Sequence, residues 1–98
     1  MKIRQVAVFL ENKCGRLADV AGTLRAAGVN IRAISLADNA DFGILRLIVN
    51  DTERAIAALK AADYVAAQTE VVAVQVEDRP GGLEAVLNVL KEHNVNVE

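Results

Sequence analysis

Two short segments hold most of the residues in this chain whose types could do chemistry. The first is Glu11-Asn12-Lys13-Cys14-Gly15-Arg16-Leu17 and the second is Glu77-Asp78-Arg79-Pro80-Gly81-Gly82-Leu83. Each follows an alternating apolar stretch and precedes a helix-like one, so each reads as a strand-to-helix turn. The first amide groups of a helix have no partner within it and carry partial positive charge, which suits a carboxylate. Gly15 and Gly81 let backbone approach a small molecule with no side chain between. Asn12 offers donors and an acceptor, enough for either end of an amino acid, whereas Asp78 favours an ammonium. Asn30, opening the next strand, is expected to lie beside the first loop. The competing reading is that Asn12 and Asp78 cap their helices and that Asn30 is only a turn residue.

Other chemistry is thin. Cys14 sits at a helix start between Lys13 and Arg16, where a thiol can be reactive. The one histidine, His93, lies far along the chain, which argues against a Cys/His nucleophile, and we expect no catalytic residues. Asp38, Asp41, Asp51 and Glu53 fall in turns and at a helix start, where carboxylates serve solubility and capping. No His pair, CxxC or carboxylate cluster has metal-ligand spacing, so neither metal nor cofactor is expected. Arg46 is the one charge in an apolar strand, placed either to meet a carboxylate or at a solvated edge.

Composition bounds the rest. The chain has 98 residues, 53% apolar and 24% charged, as in a globular domain. A net charge of −2 and three aromatic residues leave neither a basic surface nor stacking platforms for nucleic acid. No apolar run approaches the roughly 20 residues of a membrane span, and no secretory h-region follows Met1. The expected setting is therefore the cytoplasm.

The elements that must position the two loops follow from an internal repeat. Shifted by 66 positions, residues 6–32 fall on residues 72–98 with ten of 27 pairs identical, Gly15/Gly81, Leu24/Leu90 and Asn30/Asn96 among them. A repeat this long is a duplicated domain. Val6, Val8 and Leu10 alternate as a strand. Leu17, Val20, Ala21 and Leu24 recur at helical spacing, and Gly28 suits a left-handed end. Strands follow at Ile31 to Ala37 and Phe42 to Val49, joined by a hairpin loop at 38–41. Asp51 or Thr52 can cap a helix with Ala55, Ile56, Leu59 and Ala62 as its stripe. Val65 to Val76 is strand-like again, and Leu83, Val86, Leu87 and Leu90 mark a last helix.

The order β-α-β-β-α-β, then β-α-β, specifies an α+β, ferredoxin-like sandwich: four antiparallel strands, two helices on one face, and a partial second repeat. The expected division is one complete unit at 1–70 and the first half of another at 71–98. The second copy stops where the first has about 40 residues still to run. We expect those residues to exist in a longer product rather than to be supplied by another chain. Phe42 to Val49 is apolar on both sides apart from Arg46, so something should cover the open sheet face. Charges placed at Leu45 or Leu47 are expected to break such an assembly.

The repeated loop, together with Gly28-Val29-Asn30-Ile31 and Asn94-Val95-Asn96-Val97 after the helices, resembles the ACT domain. The likeness runs over the whole chain in two copies. It implies a regulatory, non-enzymatic protein that binds an amino acid or similar small ligand at interfaces between domains, as a homodimer or higher oligomer. In the serine-binding members of that family, the loop and strand asparagines contact the ligand. The resemblance then implies a site from Asn12, Lys13, Cys14, Gly15, Arg16 and Leu17 with Asn30 and Ile31, and from Asp78, Pro80 and Gly81 with Asn96. Where those members carry a histidine two positions before the loop asparagine, this chain has Leu10. Two other readings remain: a ligand-free oligomerisation module, and an acylphosphatase-like enzyme of the same topology. The latter needs an arginine in the first loop, which Arg16 satisfies, and an asparagine on the third strand, which 42–49 lacks.

Overall fold

Alternation of Val6, Val8 and Leu10 with Gln5, Ala7 and Phe9 gives the first strand one face to bury, and the sheet forms around it. The structure, a computed structural model, describes residues 1–38 and 41–98, so Asn39 and Ala40 of the expected hairpin loop lie outside the described residues. The elements are β1 (Lys2–Glu11), α1 (Arg16–Ala26), β2 (Ile31–Asp38), β3 (Phe42–Val49), α2 (Thr52–Ala61), β4 (Val65–Val72) and α3 (Gly82–Glu92). The sheet runs β2-β3-β1-β4, with every neighbouring pair antiparallel. This is the ferredoxin-like βαββαβ arrangement expected from the order of elements.

The core lies between one sheet face and two helices. Val6, Val8 and Leu10 of β1, Leu45, Leu47 and Val49 of β3, and Ala66 of β4 are buried against Val20 and Leu24 of α1 and Ala55 and Leu59 of α2. Burying such side chains contributes about 1.5–3 kcal/mol each before entropy is counted. Leu45 and Leu47 are fully buried, so a charge there would unfold the unit rather than test an assembly. The open face belongs to the alternate residues: Ala7 and Phe9 on β1, Ile44, Arg46 and Ile48 on β3, Val65 on β4. Arg46 stands on an interior strand between Ala7 and Ser35, not at an edge.

Helix ends follow the local sequence. Asp51 caps α2, its Oδ1 accepting from Arg54 N at 3.1 Å. All three helices close with the same bond, from Val29 N to Leu24 O, Tyr64 N to Leu59 O and Val95 N to Leu90 O, each 2.9 Å. The left-handed residue this requires is Gly28, Asp63 or Asn94.

Two regions differ from the sequence reading. Ile34 and Leu36 of β2 lie opposite Leu47 and Leu45, hence on the helix side, yet remain about half exposed because neither helix reaches this edge. Of the second βαβ, only its helix takes regular form. β4 ends at Val72, with Ala73 N still donating to Met1 O at 2.7 Å, and neither 74–77 nor 95–98 joins a strand, because no further strand among the described residues is placed to pair with them. Helix α3 takes no part in the extensive element-to-element packing, and Leu83 and Leu87 of its apolar stripe are exposed.

Candidate functional site

The two loops fold alike. Lys13 N donates to Glu11 O at 2.9 Å, and Arg79 N to Glu77 O at 2.9 Å. Asp19 N donates to Gly15 O at 2.9 Å, and Ala85 N to Gly81 O at 3.0 Å. Gly15 and Gly81 are the helix N-caps at φ 86° and 84°, a left-handed conformation that costs other residues about 1–2 kcal/mol. Neither helix has a side-chain cap, so the capping reading of Asn12 and Asp78 gives way: glycine occupies the cap position.

The first loop is laced by charge. Glu11 holds Lys13 at 2.8 Å and Arg16 at 4.0 Å. The Lys13 hydrogen bond and its charge, then Arg16, keep the Glu11 carboxyl below the ordinary glutamate range. In the second loop Glu77 pairs with Arg79. Gly82 stands where the first loop has Arg16, and a Cβ there would lie 2.1 Å from the Glu77 carbonyl oxygen. Cys14 is exposed. His93 is engaged by its own helix, with Nδ1 2.9 Å from Val89 O.

At the far end of each helix lies a groove, and the two grooves match residue for residue. One is lined by Ala21, Arg25, Gly28, Val29, Asn30 and Ile31. The other is lined by Leu87, Lys91, Asn94, Val95, Asn96 and Val97, each 66 positions on. Volumes of about 440 and 330 Å³ would take a small molecule. Asn30 N donates to Asn50 Oδ1 at 2.8 Å, and Asn50 N donates to Asn30 O at 3.2 Å, so Asn50 fixes the first groove's backbone. Sequence reasoning missed Asn50, although its place between β3 and the α2 cap was a usable signal.

One expectation about these residues is corrected. Asn30 does not sit beside Asn12 within a unit. β1 and β2 run parallel with β3 between them, and α1 carries the chain back to the starting end. Ile31 is level with Val49 and therefore with Arg4, roughly 25 Å along the strands from Asn12. A loop and a groove can meet only if one of them comes from another unit. Among the described residues no group of three or more His, Cys, Asp or Glu is placed to hold a metal, and no helix is long and apolar enough to cross a membrane.

A duplicated α+β unit with a glycine-capped loop and a matching groove defines the class, and comparison with known proteins agrees. The model of the ACT domain pair matches residues 1–98. Protein BT0572 from Bacteroides thetaiotaomicron is 42% identical, with a TM-score of 0.94 over 100% of this chain and 68% of that one. An unknown protein from Galdieria sulphuraria, 20% identical, covers 100% of this chain with 68% of its own at a TM-score of 0.61 and shares the fold. So does formyltetrahydrofolate deformylase from Burkholderia mallei, 15% identical, TM-score 0.54, over 100% of this chain and 40% of that one. No curated protein matches significantly. The chain belongs to the ACT domain pair family, a family of regulatory domains.

Proposed function

We propose that this protein is an allosteric sensor that binds an amino acid, or a small carboxylate like it, where the loop of one unit meets the groove of another. On this reading residues 1–70 form a complete unit and 71–98 the opening half of a second. One site joins Asn12, Lys13, Cys14, Gly15, Arg16 and Leu17 to Asn96. The other joins Asp78, Pro80 and Gly81 to Asn30 and Ile31. The observation that carries the reading is the repetition of both loop and groove at a 66-residue offset, with the two halves of a site at opposite ends of one unit. A ligand bound across such an interface favours the arrangement that brings both halves together, which is how it would act as a signal. The work is done by binding, without catalysis or cofactor, in a cytoplasmic homodimer or higher oligomer with neither nucleic acid nor membrane as partner.

A thermal-shift screen against the twenty amino acids tests the reading, since a ligand for the folded state raises stability by mass action. A selective shift that Asn12→Ala and Asn30→Ala abolish is expected. No shift from any amino acid at millimolar concentration would defeat it. The half-exposed Phe9 and Phe42 on the open sheet face favour a second reading, a ligand-free oligomerisation module. On that reading charges at Ile44 or Ile48 break the assembly, while the asparagine variants change nothing.

A further inference from the structure

The two edges of the sheet are built differently. β2 is irregular in register between Ile31 and Ala33 and carries Arg32 there, two features that discourage an edge from pairing further. β4, on the opposite edge, keeps one unbroken register with β1 from Val65 to Val72. It holds neither proline, glycine nor lysine, and Glu70 is its one charge. Met1 and Ala73 exchange both backbone bonds, so the odd-numbered residues of β4 bond to β1. Ala66, Gln68, Glu70 and Val72 therefore turn their N–H and C=O groups outward, to the open edge. Beside that edge, α2 and β4 enclose a groove of about 520 Å³. Ile56, Ala57, Ala66 and Ala67 line its middle, and Glu53 and Lys60 its ends. Glu53 is held only by Arg4, at 3.8 Å, and Lys60 enters no ion pair among the described residues.

Glu53 and Lys60 lie about two helical turns apart and so share one face of α2. A helix with this pattern is complementary to itself when run antiparallel. Each glutamate then meets a lysine, and the small Ala57 between them lets the helices approach closely. We propose that β4 and α2 together dock a second copy of this chain about a two-fold axis at the sheet edge. β4 pairs antiparallel with the partner's β4, which makes one sheet of both copies, and α2 lies antiparallel beside the partner's α2. The axis passes beside Ala67, which shares the middle of the groove with Ile56 and Ala57. Gln68 then exchanges backbone bonds with the partner's Ala66, and Ala66 with the partner's Gln68. Glu53 meets the partner's Lys60, and Lys60 the partner's Glu53. These charges fix the register. A slip of two residues, the smallest that keeps faces matched, moves one copy about 7 Å past the other and separates both pairs. None of these residues belongs to the loops or grooves, so this surface stands apart from the loop–groove reading, and from an assembly through Ile44 and Ile48.

A thiol at the axis reads the docking directly. Ala67 faces its own copy in the closely spaced, non-hydrogen-bonded position, near enough for a disulfide. In a chain carrying Cys14→Ser and Ala67→Cys, mild oxidation at about 0.1 mM protein should join two copies through the new thiol. In that background Lys60→Glu, and separately Glu53→Lys, bring like charges together at both ends. Each should weaken association about tenfold or more, read by sedimentation and by the rate of disulfide formation. Mixed in equal amounts, these two variants are complementary and should pair with each other at near the parent's strength. That recovery requires both to be folded, so misfolding cannot account for the loss in either alone. Gln68→Pro removes an outward N–H and no bond to β1, and should weaken the pairing as well. Ile44→Glu, on the open sheet face, should leave the disulfide rate unchanged. The proposal is overturned if oxidation joins no copies, if Lys60→Glu joins as fast as its parent, if the mixed charge variants stay apart, or if Ile44→Glu abolishes the disulfide.

Discussion

Residues 6–32 and 72–98 are two copies of one sequence pattern in two different surroundings. Their turn, helix and helix end carry the same hydrogen bonds and the same left-handed positions at Gly15 and Gly81, Gly28 and Asn94. Their burial is unrelated. Val8 is 0% exposed and its counterpart Val74 54%; Val29 is 6% exposed and Val95 50%. Local backbone is thus set by a few neighbouring residues, while burial depends on β3, β4 and α2, which only the first copy has beside it. The contrast also places the binding question. A loop and a groove recur in each copy, yet neither copy brings its own loop to its own groove.

The comparison can be tested hardest in the helices. Leu24→Ala should cost about 2–5 kcal/mol in urea denaturation, because it empties a fully buried position. Leu90→Ala, at the matching place in α3, should cost well under half as much. Equal losses would mean that α3 is packed in solution against a further unit or a second copy.

Next in size is the first helical position. Gly82→Ala should cost about 1–3 kcal/mol of local stability, since the new Cβ meets the Glu77 carbonyl; hydrogen exchange of the first turn of α3 reads it. Arg16→Ala, its counterpart, should change little beyond weakening the Glu11 pairing. Gly15→Ala and Gly81→Ala should cost about 1–2 kcal/mol each, and nearly equally, for both glycines are left-handed with open space around them. Unequal costs would show that surroundings, and not the local turn, decide the loop.

The smallest effect is electrostatic. The Glu11 carboxyl is depressed in the folded protein, so its contribution is fully present above the ordinary glutamate range and lost as pH falls through the lowered value. Glu11→Gln should flatten stability against pH in that acid window alone. The difference should shrink with added salt because the group is exposed.

Much of the fold was legible beforehand because periodicity reports which face each element buries. Phe42 to Val49 proved to be β3, Asp51 the α2 cap and Gly28 the left-handed end of α1. The loops were legible too, as candidates, because a glycine between a strand pattern and a helix pattern needs only its neighbours to set its conformation. The recess lined by Phe9, Arg16, Phe42 and Tyr64 was not, since it draws together residues far apart in sequence. Nor was the role of Asn50, which joins the end of β3 to the start of the neighbouring β2 through Asn30.

Sequence alone therefore determined what is local or periodic: the four strands of the first unit, the three helices and their ends, the duplicated loop and the repeat itself, but not whether the second copy's strands would find partners. Only tertiary structure decided that Asn12 and Asn30 lie at opposite ends of a unit, and that α1 buries Val20 and Leu24 in the core while the matching Val86 and Leu90 of α3 stay partly exposed. The physical reason is reach. A turn closes on hydrogen bonds between residues a few positions apart, whereas burial and the meeting of side chains depend on strand order and direction, which no short stretch of the chain specifies.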